Sequence, residues 1–168
     1  MIHVKSYGDA PHNPGPRPAA PVHLRLADGV LAGTQELLRS LSNGSRESLV
    51  LWAGRSTDRG AVITHVIAPE VEAGYDWLDV PSASRGEVAL LLRRERLLVF
   101  SDLHTHPETA FLSVADQQRP FSTLPGFYAI VVPDFACGTP GVGWRMYAYN
   151  GTRWEEEDCA QRINPWPV

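Results

Sequence analysis

Apolar residues fall into short runs separated by polar turns, and most of these runs have the length of β-strands. The run at 48–54 is almost wholly apolar, which predicts a strand buried on both faces. The β-branched run at 61–68 follows a polar turn and predicts the second strand of a hairpin. The other runs that predict strands lie at 22–26, 97–104, 127–132 and 144–149, and Asn150-Gly151 predicts a hairpin turn after the last of them.

Two segments between these strands carry apolar residues at helical spacing instead. The first predicts a helix that begins with a cap at Asp28 and stops at Asn43-Gly44. The second contains Ser84-Arg85-Gly86-Glu87, which matches a capping box and predicts a helix start at Ser84. Strands and helices distributed in this way over 168 residues predict one α/β domain.

Prolines are concentrated at the start of the chain, where they include Pro11, Pro14, Pro16 and Pro18. Proline fixes φ and has no backbone N–H, so this segment is excluded from helices and from interior strands. We therefore expect a proline-rich surface arm at 1–20 and the folded domain at 21–168.

Composition and charge limit the class of partner and the compartment. The net charge is -4 and no block of Lys or Arg occurs, which argues against nucleic acid as the main partner. Cys137 and Cys159 have no disulfide or zinc-ribbon spacing, and we expect two ordinary thiols in a reducing compartment. No signal peptide and no membrane-spanning run is predicted, so the cytoplasm is the expected location.

The polar chemistry of the chain is concentrated in residues 103–116, at the end of a predicted strand. His104 and His106 are separated by one residue and would point to the same side of an extended backbone. Ser113 and Asp116 follow within a loop and a turn. Two imidazoles and one carboxylate are a suitable ligand set for a catalytic zinc ion, which keeps a fourth position for water.

A metal that activates water also needs a general base, and the residues alone leave two candidates. Glu108 lies on the loop beside a histidine, and Glu47 precedes the buried strand at 48–54. Asp102 also has two interpretations: a carboxylate behind a metal ligand, or a solvated aspartate at a strand end, which we favour. Ser-x-x-Asp can itself simply cap a helical turn.

These motifs, in this order, resemble the JAMM metalloproteases, also called MPN-plus or JAB. Similarity extends over about residues 22–150 and includes Glu47 with Gly54 seven positions later, the His104-Thr-His106-Pro motif, and Ser113-Val-Ala-Asp116. The resemblance implies a cytidine-deaminase-like fold, with a single mixed, curved sheet flanked by helices. It also implies one Zn²⁺ per chain on His104, His106 and Asp116. Glu47 would be the general base and acid, and Ser113 would stabilise the oxyanion.

The chain departs from the family pattern at one place. Six residues (107–112) separate His106 from Ser113, where the family usually has seven, which affects the rim of the cleft more than the metal site. The segments at about 70–83 and 117–126, where eukaryotic members that cleave ubiquitin chains carry insertions, are short here. The resemblance therefore implies a bacterial-type enzyme that deconjugates or processes a ubiquitin-like protein. Phe111, Leu112 and Trp77 are candidates for lining the groove for its C-terminal tail.

The expected partners are a ubiquitin-like protein, its conjugated target and, in addition, enzymes of a conjugation system. Two alternatives remain for the function. One is a peptidase that removes a small adduct from a sulfur-carrier protein with the same metal. The other is a module that binds a ubiquitin-like protein without turnover. Neither nucleic acid nor a membrane is an expected partner.

Overall fold

A computed structural model of the chain describes residues 1–9, 16–20 and 22–167. In chain order its strands are β1 (His3–Ser6), β2 (Leu24–Leu26), β3 (Leu49–Thr57), β4 (Gly60–Ala68), β5 (Glu72–Ala73), β6 (Leu78–Asp79), β7 (Leu98–Thr105), β8 (Tyr128–Val132), β9 (Arg145–Tyr149), β10 (Trp154–Glu157) and β11 (Ile163–Asn164). Its α-helices are α1 (Val30–Ser42), α2 (Ser82–Glu95), α3 (Val114–Gln118) and α4 (Cys159–Arg162).

Most strands join one mixed, curled sheet in the order β10-β9-β8-β7-β3-β4-β2-β11, and β1 also pairs with β4. The pairs β7–β8, β2–β4 and β2–β11 are parallel, and the remaining pairs in this sheet are antiparallel. The predicted α/β fold, with a mixed, curved sheet flanked by helices, is confirmed. A small separate hairpin, β5–β6, was not predicted, because its strands of two residues are too short to produce an alternating pattern.

The central strand β3 separates two apolar clusters, as its sequence predicted. Val50 and Trp52 face the cluster that includes Leu38 of α1, whereas Leu49 and Leu51 face the cluster that includes Val88 of α2. The indole Nε1 of Trp52 donates a hydrogen bond to the Thr34 hydroxyl at 2.8 Å, so the polar atom of this buried ring has a partner. The hairpin of β3 with β4 is also confirmed.

Gly54 lies where β3 bends. The pairing register of β3 shifts between Ala53 and Gly54 on the β4 side, which marks a β-bulge. A Cβ atom at Gly54 would lie 1.8 Å from the carbonyl oxygen of Val62. Only glycine therefore allows the two backbones to approach this closely, which gives the glycine at position 54 a physical basis.

Both predicted helix starts are wrong, although the helices are present. The N-cap of α1 is Gly29, with φ of 84° and no side-chain cap, and not Asp28. Helix α2 begins at Ser82, and the Pro81 carbonyl accepts the first helical hydrogen bond from the Arg85 N–H at 3.0 Å. Pro81 is the N-cap, with an extended backbone (φ −56°, ψ 148°), and the predicted cap Ser84 is buried inside the helix. The predicted stop at Asn43 is confirmed.

The first residues of the predicted arm pair with the sheet. Strand β1 is exposed and runs antiparallel to β4, with His3 opposite Ala68. It precedes the prolines, which explains how it can form main-chain hydrogen bonds. Residues 10–15 of the predicted arm, including Pro11 and Pro14, lie outside the described residues, and the boundary at 20/21 stays a prediction.

The C-terminal part follows the predicted order of elements. Asn150 and Gly151 connect β9 to β10, and the helical turn α4 precedes Pro165. Cys137 and Cys159 are free thiols, the first exposed and the second buried. Of the helices in the described ranges, none combines the length and apolar composition that crossing a bilayer requires.

Candidate metal centre

Strand β7 carries the two histidines into the interior of one end of the sheet. It lies between β3 and β8, and its alternation places His104 and His106 on the same side. Both side chains are buried, and their ring centroids are 5.2 Å apart. The His106 N–H continues the ladder beyond the strand by donating to the Val132 carbonyl at 2.9 Å. The main chain thus fixes both imidazoles.

The short helix α3 brings the carboxylate of Asp116 to these histidines. Ser113 is its N-cap: the Ser113 Oγ accepts from the Asp116 N–H at 3.1 Å, and Asp116 Oδ2 accepts from the Ser113 N–H at 2.8 Å. Asp116 Oδ2 is also 3.5 Å from His104 Nε2 and 3.3 Å from His106 Nε2. The structure therefore brings together His104, His106 and Asp116, whose ligand atoms all lie within 4.8 Å of one another.

Glu47 reaches the same place from a distant part of the sequence. In the antiparallel ladder Leu49 pairs with His104, and the Thr105 N–H donates to the Ser48 carbonyl at 3.0 Å. Continued by two residues, this register sets Glu47 opposite His106. Glu47 Oε1 is 3.9 Å from His106 Nε2, and the residue is only 3% exposed.

The two carboxylates have opposite pKa shifts. Burial raises the pKa of Glu47 to about 7, and the charges of Asp116 and Asp76 add to this effect against the opposing effect of His104. Burial also acts to raise the pKa of Asp116. There it is outweighed by interactions with His104, His106 and Ser113, which lower the pKa of that carboxyl far below its usual range. Glu47 is therefore suited to proton exchange near neutral pH, and Asp116 to remaining an anion.

The position of Asp102 contradicts the interpretation favoured from the sequence, which was a solvated aspartate at a strand end. Asp102 is buried rather than solvated, and its Oδ1 lies 3.3 Å from His104 Nδ1. Burial alone would lower the pKa of His104, but Asp102 and Asp116 outweigh it and raise the pKa to about 10. A carboxylate at Nδ1 orients the ring and directs Nε2 towards Asp116 and His106, as outer-shell carboxylates do for metal-bound histidines.

These side chains fit a divalent metal ion. The buried Nε2 of His104 has no hydrogen-bond partner among the described residues, and its contact with Asp116 at 3.5 Å is longer than a well-formed hydrogen bond. Buried polar atoms without partners are uncommon in folded proteins, and a cation here would bind this nitrogen. Two imidazole nitrogens and a carboxylate oxygen are ligands that zinc accepts in catalytic sites.

Two cavities flank the ligand cluster. The larger, of about 250 Å³, contains Glu47, His106, Phe111 and Ser113 in its lining. The smaller, of about 30 Å³, is lined by His104 and Asp116 together with apolar side chains that include Leu112.

Of the three predicted groove residues, Phe111 and Leu112 therefore line cavities, and the Phe111 ring packs on His106 with centroids 4.9 Å apart. Trp77 lines neither cavity. It lies beside Gly74, whose carbonyl accepts the Glu47 N–H at 2.8 Å. Asp76, at the rim of the larger cavity, was missed, since a lone aspartate on a loop carries no sequence signal.

The shortened loop at 107–112 is held by the chain that follows β8. The Asp134 N–H donates to the Glu108 carbonyl at 3.0 Å, and the Phe135 N–H donates to the His106 carbonyl at 2.9 Å. Asp134, Phe135 and Ala136 all have positive φ, between 47° and 63°, which is uncommon for residues other than glycine. This left-handed turn fixes the main chain just after His106, and the ligand atoms converge despite the shorter loop.

Comparisons with known proteins agree with a metalloprotease. No protein-family model matches the chain. It is 27% identical over 106 residues to "Probable metalloprotease y4jG" of Sinorhizobium fredii, covering 61% of this chain and 65% of that protein. It is 37% identical over 83 residues to the AMSH-like protease of Mus musculus, covering 48% of this chain and 19% of that protein. The chain thus spans less than two thirds of either relative.

Among solved structures, the solution structure of protein DSY2949 from Desulfitobacterium hafniense is similar, with a TM-score of 0.65. The similarity covers 83% of this chain and 90% of that one at 15% identity, so it supports the fold alone. The two curated relatives support a peptide-hydrolysing enzyme and the resemblance to the JAMM family, and the His104, His106 and Asp116 cluster supports a metal ion.

Proposed function

We propose that the protein is a zinc-dependent isopeptidase or peptidase that hydrolyses the bond after the C-terminus of a ubiquitin-like protein. The observation that carries this proposal is the position of Glu47, buried and 3.9 Å from His106 at the edge of three converging ligand atoms. A structural metal site does not require a second carboxylate, with a raised pKa, beside its two histidines and one aspartate.

In this proposal His104, His106 and Asp116 hold the metal, and Asp102 orients His104. When bound, the metal would polarise the scissile carbonyl and lower the pKa of water enough for attack near neutral pH. Three protein ligands leave one coordination position for that chemistry.

Glu47 would accept the proton of the attacking water and deliver it to the leaving nitrogen. A group that performs both transfers works best with a pKa near the working pH, and burial raises the pKa of Glu47 to about 7. Its carboxylate lines the larger cavity, where water and a leaving group have room.

Ser113 would donate a hydrogen bond to the oxyanion of the tetrahedral intermediate. Its oxygen already accepts the Asp116 N–H, which fixes the side chain, while its hydroxyl hydrogen stays available for donation. Cap and oxyanion donor are thus compatible roles for one residue.

The ubiquitin-like substrate is proposed from the motif resemblance, in which the tail enters the groove as an added strand. Phe111 and Leu112 line the two cavities and remain our candidates for contacting it; Trp77 is a candidate at the neighbouring hairpin β5–β6. That hairpin is small, which supports a compact enzyme of the bacterial type. We propose residues 21–168 as its catalytic domain.

The proposed function is tested by measuring the metal content of the protein and its cleavage of a substrate. The purified protein should hold close to one zinc per chain and cleave a fusion of a ubiquitin-like protein to a reporter. A chelator and, separately, Glu47→Gln should each abolish cleavage, whereas Glu87→Gln, at an exposed position of α2, should not. Full cleavage by Glu47→Gln would refute the mechanism, and binding of a ubiquitin-like protein without cleavage would favour a non-catalytic module.

A further inference from the structure

The larger cavity is acidic. Glu47 lies in its interior, Asp76 and Glu108 lie at its exposed rim, and no Lys or Arg occurs among the described residues that line it. Asp76 comes from the loop between β5 and β6, and Glu108 from the loop after β7. Neither has a hydrogen bond or ion pair from its side chain within the described part of the chain, and the role proposed for Glu47 does not require either.

The buried member of this group also lacks a partner. Glu47 is 3% exposed and its carboxylate lines the cavity, yet no described residue donates a hydrogen bond to it. The nearest nitrogen capable of carrying charge is Nε2 of His106, at 3.9 Å. A ligand that brings a hydrogen-bond donor into the cavity would give this carboxylate a partner.

The proposed function identifies which part of a substrate enters this cavity. A proton donor must come within about 2.6–3.2 Å of the leaving nitrogen. Glu47 lines two cavities, and of these the one of about 250 Å³ is also lined by His106 and Ser113, whereas the one of about 160 Å³ is not. If Glu47 is that donor, the leaving nitrogen and the residues attached to it therefore lie in the cavity of about 250 Å³. The smaller cavity, on the side of His104 and Asp116, has apolar walls that include Leu49 and Leu112.

We propose that this acidic cavity recognises a leaving group that carries positive charge and no free carboxylate. A lysine side chain in a basic segment of a conjugated target has this chemistry. Phe111, half-exposed in the same cavity, adds an aromatic ring that a cation can contact. A single amino acid with its own α-carboxylate, as in the adduct of a carrier protein, would be repelled by Asp76 and Glu108.

The inference rests on the proposed function, and two peptide substrates test it. Both contain the same glycine-ended acyl segment joined to Nε of a central lysine, which is flanked by lysines in one peptide and by glutamates in the other. We expect kcat/KM to be about three- to tenfold higher for the basic peptide at low salt. Because the rim carboxylates are exposed, 1 M salt should remove most of this preference.

Matched pairs of variants show which carboxylates cause the preference for the basic peptide. Asp76→Asn combined with Glu108→Gln should reduce the preference to within about twofold. Glu72→Gln combined with Asp79→Asn removes the same charge from the hairpin β5–β6 but outside the cavity lining, and should keep the preference. An unchanged preference in the Asp76 and Glu108 variant would overturn the inference.

A binding measurement separates this inference from the proposed function. Calorimetry with uncleavable peptides, each with Nε-acetyl-lysine flanked by lysines or by glutamates, needs no turnover. Tighter binding of the basic peptide that is lost in the Asp76 and Glu108 variant would support the inference even if nothing is cleaved. Cleavage or binding without a charge preference would overturn it, while cleavage itself would leave the proposed function standing.

Discussion

Two carboxylates, one at the start of β3 and one in α3, approach the same nitrogen of His106 but have opposite electrostatic environments. Asp116 Oδ2 lies 3.3 Å from His106 Nε2 and also accepts a hydrogen bond from the Ser113 N–H. Glu47 Oε1 lies 3.9 Å from the same nitrogen and has no hydrogen-bond donor among the described residues. Hydrogen bonds and nearby imidazoles stabilise the anion at Asp116, whereas burial favours the protonated form at Glu47.

The opposite pKa shifts of Asp116 and Glu47 match the two roles that a hydrolytic metal site requires, a metal ligand and a proton-transfer group. A ligand must stay ionised, and a proton-transfer group must change its protonation state near the working pH. The local donors decide which carboxylate has which behaviour, because both side chains lie in the same partly buried region.

The largest effect is expected when the two carboxylates are neutralised separately. Asp116→Asn should weaken metal binding by more than about 100-fold, since even outer-shell partners account for 10–100-fold. Glu47→Gln should keep close to one metal per chain and lower kcat by about 10²–10⁴-fold. Atomic emission spectrometry after dialysis, with cleavage assays on the same samples, measures both. If the Glu47→Gln protein lost its metal, Glu47 would be a metal ligand and not the proton-transfer group.

A smaller effect is expected from the residue that holds Asp116. Ser113→Ala should lower kcat by about 10²–10³-fold, as for other oxyanion donors, and the free energy of unfolding by about 1 kcal/mol, as for other N-caps. Ser113→Gly removes the hydroxyl at a cost to the cap of only a few tenths of a kcal/mol, so it should keep most of the stability but not the turnover. If Ser113→Gly kept full turnover, the hydroxyl would have no role beyond the cap.

The smallest effect concerns the pH dependence of stability in chelator-treated protein. The pKa of Glu47 is raised to about 7 in the folded state from 4.5 in the unfolded state, so between these values the folded state holds the extra proton. Stability must then fall as pH rises from about 4.5 to 7. Relative to Glu47→Gln, the wild type should lose on the order of 1–3 kcal/mol over this range in urea titrations. Parallel curves for the two proteins would contradict the buried environment of Glu47.

Two parts of the cluster of His104, His106 and Asp116 were predictable because their geometry is local. Strand alternation alone puts His104 and His106 on one side, and Ser113 and Asp116 form a capping box within one helical turn. The buried strand β3 was equally evident from its apolar run. Even the helix stop at Asn43 followed from a residue that readily adopts positive φ.

The errors have two causes. The N-caps are Gly29 for α1 and Pro81 for α2, because main-chain geometry determined each start and no side chain supplied a cap. The second cause is contact between distant parts of the chain. Asp102 was expected in solvent, but it is buried beside His104, on a face of the sheet where Leu78 and Phe121 line the same small cavity. A pattern of residue types does not record which strands are neighbours.

The sequence by itself therefore determined the α/β class, the buried central strand and the identity of the cluster residues His104, His106 and Asp116, since these follow from apolar runs, strand alternation and motif spacing along the chain. Only the tertiary structure decided what surrounds them. The pairing of β3 with β7 sets Glu47 opposite His106 across 59 positions of chain, and the β5–β6 loop brings Asp76 to the same cavity. Residues so far apart meet only through strand register and packing, and their pKa values depend on the burial that results.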